Sequence, residues 1–264
     1  MISTKPRNKG VYLLPNLFTT AALFSGFFAI VAGMQERFEV ATIAIYIAML
    51  FDGLDGRVAR LTNTQTAFGR EFDSLSDMVA FGVAPALVAY SWALYPLGKL
   101  GWLSAFIYTV GNALRLARFN VQAGTLDNNF FSGLPVPSAA AIIAGLVWVG
   151  DGYGWSSMAL SWMLAFLSVA VALLMVSSIP YYSFKKVNLR GKVPMVTIFL
   201  LALGFAFISI DPPVILFSIF CLYGLSGPVL WAGLEIKNRP RWAKLLKFRR
   251  QMRNADKIKH KDIS

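Results

Sequence analysis

Four aspartates, Asp52, Asp55, Asp73 and Asp77, stand inside apolar, membrane-length stretches in the array Asp52-x-x-Asp55-Gly56-x-x-Ala59-Arg60, eight residues, then Gly69-x-x-x-Asp73-x-x-x-Asp77. A carboxylate at membrane depth costs several kcal/mol unless it lines a wet cavity or meets a counter-ion, so four together call for a functional reason. Residues three or four apart share a face of a helix, which pairs Asp52 with Asp55 and Asp73 with Asp77. The connection Leu61 to Phe68 is short and mostly polar. It predicts that the two aspartate-bearing helices are antiparallel neighbours whose carboxylates converge. Four like charges within a few Å cannot all stay ionised unaided. One or two Mg²⁺ or Mn²⁺ ions resolve the conflict, because hard oxygen ligands suit those metals and no His or Cys stands beside them.

Gly56 lies one turn after Asp52 and Gly69 one turn before Asp73. Glycine inside a helix costs about 1 kcal/mol relative to alanine, a cost that close approach of a ligand or another helix explains. Arg60, one turn beyond Gly56, offers a planar cation for phosphate. Acid ligands, a divalent metal, an arginine and a glycine-bared surface together describe a pyrophosphate site. The competing reading is a set of aspartates that pair with Arg57, Arg60 and Arg70 inside a bundle. It explains neither the glycines nor the spacing.

The elements that position these residues are membrane helices. The chain has 264 residues, 56% hydrophobic and only 14% charged, too apolar for a soluble domain of ordinary make-up. Several stretches reach the roughly 20 residues a helix needs to cross a bilayer, and none shows the alternation of outer-membrane strands. The expected fold is an all-α polytopic helical bundle with eight spans at about 12–33, 39–60, 72–94, 100–119, 136–150, 156–181, 193–210 and 213–233. The net charge of +12 does not point to nucleic acid, because the charges alternate with the loops. Only Arg37 and Lys99 fall on one side, with Glu36, Glu39, Asp151 and Asp211. The other side collects Lys5, Arg7, Lys9, Arg57, Arg60, Arg70, Arg115, Arg118, Lys185, Lys186, Arg190, Lys192 and the tail. This positive-inside pattern puts both termini, and the aspartates, on the cytoplasmic side.

The first span is longer than the apolar core of a cleaved signal peptide and lacks a small-residue cleavage site, so it is expected to stay. One membrane domain, 1–236, is followed by a basic cytoplasmic tail, 237–264. In that tail Trp242, Leu245, Leu246, Phe248 and Met252 share a helical face suited to an anionic leaflet, unless it is simply a loosely ordered basic extension. Cys221, the only cysteine, falls mid-span and excludes an intrachain disulfide; His260, the only histidine, lies in the tail.

The array resembles the signature of the CDP-alcohol phosphotransferases, membrane enzymes that move a phosphatidyl or similar group from a CDP-linked donor to an alcohol. All four Asp, both Gly, Ala59 and Arg60 are in register. The resemblance implies that Asp52, Asp55 and Asp73 bind two metals, and that Asp77 adds to the metal site and is the general base. Gly56, Ala59, Arg60 and Gly69, with Thr66 in the connection, would line the site of the CDP moiety. It also implies a homodimer in the inner, cytoplasmic membrane.

Further segments resemble the phosphatidylserine synthase branch of the family, extending the likeness over about 12–192. Leu14-Pro15-Asn16-Leu17-Phe18-Thr19 sets Asn16 and Thr19 at a cytoplasmic helix start, where they are expected to bond the donor nucleotide, or, for Asn16, to cap the helix. In Asn112-Ala-Leu-Arg115-Leu-Ala-Arg118-Phe-Asn120, Arg115 and Arg118 form an arginine fork fit for a carboxylate or phosphate, with Asn120 beside it; anchoring by positive-inside charge is the alternative for either arginine. Phe131-Ser132-Gly133-Leu134-Pro135-Val136-Pro137 and Ser177-Ser178-Ile179-Pro180-Tyr181-Tyr182-Ser183-Phe184-Lys185 complete the set. The prolines also suit a helix start, and Lys185 either meets phosphate or snorkels. What the resemblance implies is transfer of the phosphatidyl group of CDP-diacylglycerol to L-serine by in-line displacement. Glycerol 3-phosphate, inositol phosphate or choline are the alternative acceptors, and a divalent cation transporter is the alternative from another class.

Overall fold

The computed structural model describes residues 13–62, 64–122, 130–182 and 195–233. Lys5, Arg7, Lys9, Lys185, Lys186, Arg190, Lys192 and the whole basic tail, with its apolar face and His260, lie outside the described residues. Among the described residues, eight helical segments follow one another: α1 (Leu13–Met34), α2 (Phe38–Thr62), α3 (Ala67–Leu97), α4 (Lys99–Gln122), α5 (Val136–Gly152), α6 (Met158–Val176), α7 (Met195–Ile208) and α8 (Pro212–Gly233). Each matches one of the segments expected from hydropathy. By length and composition α1, α3, α6 and α8 can cross a membrane; α5 and α7 are apolar but shorter. Helices α2 and α4 are long, but Asp52, Asp55, Arg57 and Arg60 in the one and Arg115 and Arg118 in the other interrupt their apolar character. Phe24, Phe27, Phe166, Phe199 and Leu222 all stand exposed. A soluble monomer rarely shows so much apolar surface, whereas a lipid bilayer accommodates it. The protein is an α-helical membrane protein.

Small residues let the helices approach closely, the usual device where apolar burial gives no drive. A Cβ at Gly26 of α1 would come within 2.5 Å of the Ala80 Cα in α3, and one at Gly111 of α4 within 2.9 Å of the Ala172 Cβ in α6. The sixth expected span is corrected at its end. Helix α6 stops at Val176, Ser177 is extended, and Pro180, which lacks the N–H a helix needs, opens a short strand. That strand, β2 (Pro180–Tyr182), pairs antiparallel with β1 (Phe130–Ser132). The ribbon was not foreshadowed by the hydropathy pattern.

The aspartate-bearing helices are neighbours, as expected, but their backbones are not closest at the carboxylates. Helix α1 lies against both α2 and α3, while α2 touches α3 mainly deeper, along Met78–Ala89. At the level of the aspartates the two backbones are wider apart and the carboxylates themselves span the distance, with α1 as a common neighbour. The gap between them is the cavity described next.

Helix α3 is not regular. It widens into π-helical turns at Met78–Val83 and Tyr90–Leu94. Pro85 has no N–H to give the Phe81 carbonyl, its partner in an ordinary α-helix; Tyr108 Oη of α4 donates to that carbonyl instead, at 2.8 Å. Such wide turns recur beside functional sites, and this one begins at the residue after Asp77.

Candidate active site and metal centre

Thr66 ends the connection after α2 in an extended conformation, and its hydroxyl accepts from the Gly69 N–H at 2.9 Å. This cap starts α3 early enough to put Gly69, Asp73 and Asp77 on one continuous helix. Opposite, Asp52, Asp55 and Gly56 ride the last turns of α2. Oxygens of Asp52, Asp55 and Asp73 lie within 4.8 Å of one another. Asp77 is not one of this close set; it stands one turn further along α3, beside Asp52, and lines the same cavity.

The donor set fits a hard divalent cation. It is all carboxylate oxygen, drawn from two helices, with Asp55 only 5% exposed. Among the described residues, Asp55 and Asp73 make no ion pair with any Lys or Arg; the ion pair nearby, Arg70 with Glu71 at 3.9 Å, lies on the surface. The bundle-pairing alternative thus finds no support at these two carboxylates, and their charge calls for a cation from outside the chain.

The cavity, of about 760 Å³, gathers Asn16 and Thr19 from α1, the aspartates with Gly56, Ala59 and Arg60 from α2, and Thr66, Gly69, Asp73 and Asp77 around α3. A Cβ at Gly56 would meet nothing within 4 Å, so its surface is open to the cavity. One at Gly69 would meet the Thr66 hydroxyl at 3.0 Å and the Asn16 side-chain oxygen at 3.5 Å. Gly69 therefore lets α1 and the cap of α3 close together rather than leaving a bare surface. Arg60 is exposed at the cavity and anchors itself by donating from Nε to the Gly56 carbonyl at 2.9 Å. Thr19 lines the cavity too, but its hydroxyl turns to Asp55 Oδ2 at 2.7 Å.

The expected arginine fork is not brought together. Arg115 is buried and lines the inner wall of the cavity, its guanidinium 5.9 Å from the centre of the Phe119 ring and its Nε without a hydrogen-bond partner among the described residues. Asn112, one turn earlier, is fully buried against Gly82, and its side-chain amide also lacks a hydrogen-bond partner among the described residues. Arg118 goes elsewhere: it donates to the carbonyls of Val176 at 3.0 Å and Ser177 at 3.2 Å, and to Ser132 Oγ at 3.2 Å. These carbonyls end α6, where a cation is favoured by the helix dipole. Asn120 bonds Ser74 at 2.9 Å and Glu71 at 3.5 Å, tying α4 to α3 outside the cavity. Lys185 lies outside the described residues.

The Gly133-Leu134-Pro135-Val136-Pro137 stretch has a structural explanation. Gly133, at φ +86°, packs directly on the Met175 carbonyl, where no side chain fits, and Leu134 N–H donates to the Leu174 carbonyl at 3.0 Å. Together with Arg118 they satisfy the end of α6 and set Pro135 to Pro137 along the cavity wall. The wall residues Leu116, Phe119 and Arg70 were missed by sequence reasoning; Phe119 follows Arg115 by four residues and so shares its side of α4.

The sequence profile of the CDP-alcohol phosphatidyltransferases matches residues 12–174. A CDP-diacylglycerol--serine O-phosphatidyltransferase of Helicobacter pylori is 38% identical over 228 residues, 86% of this chain and 94% of the relative. One of Mycobacterium leprae is 31% identical, covering 84% of this chain and 76% of its own length. An archaetidylserine synthase of Methanothermobacter thermautotrophicus is 38% identical over 64% of this chain and 69% of the relative. The matched region runs from the start of α1 nearly to the end of α6 and so contains every helix that contributes to the cavity. With the eight signature positions, all of them lining the cavity with Asn16, the chain belongs to the CDP-alcohol phosphatidyltransferase family.

Proposed function

We propose that this protein transfers the phosphatidyl group of CDP-diacylglycerol to the hydroxyl of L-serine, giving phosphatidylserine and CMP. The observation that carries this reading is one cavity shared by an all-carboxylate cation site, Arg60 at its mouth and Arg115 on its inner wall. The names of the relatives favour serine over other alcohols, since the bacterial and archaeal lipid products differ while serine stays constant.

A divalent cation held by Asp52, Asp55 and Asp73 supplies Lewis-acid polarisation of the donor diphosphate. The reading takes two such ions, Mg²⁺ or Mn²⁺. Asn16, Gly56, Ala59, Thr66 and Gly69 border the space for the CDP moiety, and Arg60 neutralises charge on its diphosphate. Arg115 receives the serine carboxylate. Asp77 takes the proton of the serine hydroxyl as that oxygen bonds to the phosphorus bearing diacylglycerol; the bond from this phosphorus to the oxygen of CMP breaks, and CMP leaves. The acyl chains stay in lipid throughout. In this reading all eight helices cross or enter the inner membrane, both termini and the cavity face the cytoplasm, and the protein works as a homodimer.

Purified protein given labelled CDP-diacylglycerol and Mg²⁺ or Mn²⁺ is expected to release CMP when L-serine is present and not with glycerol 3-phosphate, inositol phosphate or choline. No turnover with serine would sink the assignment. Metal flux into vesicles without nucleotide would favour a transporter.

Arg115 and Arg118 are expected to part company. Arg115→Met should raise the KM for serine by about 10–100-fold, the loss of a charged hydrogen bond, with the KM for the donor little changed. Arg118→Met should instead lower the melting temperature, because it uncaps α6. A raised serine KM in Arg118→Met at unchanged stability would overturn this division.

A further inference from the structure

Thr19 touches both aspartate-bearing helices at once. Its hydroxyl donates to Asp55 Oδ2 of α2 at 2.7 Å, and its backbone carbonyl accepts from Ser76 Oγ of α3 at 3.1 Å. The residue is 3% exposed, Ser76 is 1% exposed and Asp55 is 5% exposed, so neither bond is in competition with bulk water. The hydroxyl also lies 3.2 Å from the Pro15 carbonyl of its own helix, a longer and weaker alternative for its single proton.

This geometry matters because at the cavity α2 and α3 meet only through crowded carboxylates, Asp55 with Asp73 and Asp52 with Asp77, groups that repel one another when ionised and so make a poor brace by themselves. Helix α1 lies against both. Ser76 is the residue before Asp77 and three after Asp73, so the bond from Ser76 fixes the turn of α3 that carries both. The bond to Asp55 holds one carboxylate oxygen on the α1 side and orients the other for use in the cluster with Asp52 and Asp73. Gly26, two turns along α1, presses on Ala80 of α3 and keeps the two helices in close contact above the joint.

We infer that Thr19 is a positioning residue of the cation site, holding Asp55 of α2 and, through Ser76, the Asp73 turn of α3 at the separation a divalent ion requires. Its hydroxyl serves the carboxylate rather than the donor nucleotide. This rests on the metal reading of the cavity but not on serine as acceptor. Partners that orient a metal ligand are typically worth about 10–100-fold in affinity.

The test is Mn²⁺ binding, followed by electron paramagnetic resonance on the purified full chain in detergent with no substrate. Thr19→Val, which keeps the shape and removes the hydroxyl, is expected to weaken Mn²⁺ binding by about 10–100-fold, and Thr19→Ser, which keeps the hydroxyl, to stay close to wild type. Ser76→Ala should shift the affinity in the same direction by a smaller factor. At saturating Mn²⁺ the KM of Thr19→Val for CDP-diacylglycerol should return to the wild-type value. Wild-type Mn²⁺ affinity in Thr19→Val overturns the inference, as does a donor KM that stays raised at saturating metal, which would return the hydroxyl to the nucleotide. Should Thr19→Val not fold, Ser76→Ala decides, and an unchanged affinity there overturns the inference. Inactivity with serine alongside the expected Mn²⁺ pattern would reject the acceptor and leave the joint standing.

Discussion

Asp73→Asn is expected to lower turnover at saturating substrates by about 10³-fold and to abolish stabilisation of the protein by Mg²⁺ or Mn²⁺. The first figure is the loss of several kcal/mol of charge stabilisation at phosphorus, at 1.36 kcal/mol for each factor of ten. The second has a sign that separates a metal site from an ordinary polar cluster. Asp73 shares its surroundings with Asp52 and Asp55, their oxygens within 4.8 Å, and neither Asp55 nor Asp73 meets an arginine or lysine of the described residues. Neutralising one of three crowded carboxylates relieves repulsion, so in metal-free buffer the variant should melt no lower than wild type. Added cation stabilises wild type by about 2.7 kcal/mol at a hundredfold excess over its Kd. The variant should gain far less. Melting curves with and without Mn²⁺ read both effects, and an undiminished metal-dependent rise in Asp73→Asn would remove this residue from the site.

Much of this site was legible as a linear pattern because helix geometry is local. Spacings of three and four along α2 and α3 were enough to bring Asp52, Asp55 and Asp73 together, and the apolar runs located each described helix, with bounds off by up to five residues at the start of α3 and the end of α6. What depended on a third helix was not legible. The packing of α1 against both helices, and with it the Thr19 to Asp55 bond, has no signature in the spacing of the aspartates. Arg115 and Arg118 illustrate the same limit. Three residues advance a helix by 300°, so the two side chains diverge by about 60°, enough to send one into the cavity and the other to the end of α6. Their separate destinations were set by where α6 ends, which depends on Pro180 and Gly133 more than fifty and about fifteen residues away in sequence. The π-helical turn after Asp77 did leave a trace, in Pro85 and its orphaned acceptor at Phe81.

Asp77→Asn should behave differently from Asp73→Asn, and the difference tests which of its two expected roles Asp77 plays. Its carboxyl stands beside Asp52 and at the cavity, yet outside the three oxygens that crowd together. Under the proposed reading, a group in that place serves the reacting hydroxyl and leaves the cation to the other three carboxylates. If Asp77 is the base, the asparagine variant loses on the order of 10²–10⁴-fold in transfer. Its Mn²⁺ affinity and its retention of labelled CDP-diacylglycerol should stay near wild type, since neither requires a proton acceptor. The penalty should also shrink for an acceptor whose hydroxyl ionises more readily, because such a nucleophile needs less help in losing its proton. A drop in Mn²⁺ affinity equal to that of Asp73→Asn would make Asp77 a ligand instead. Near-normal turnover would reject both roles and move the base to one of the three crowded carboxylates.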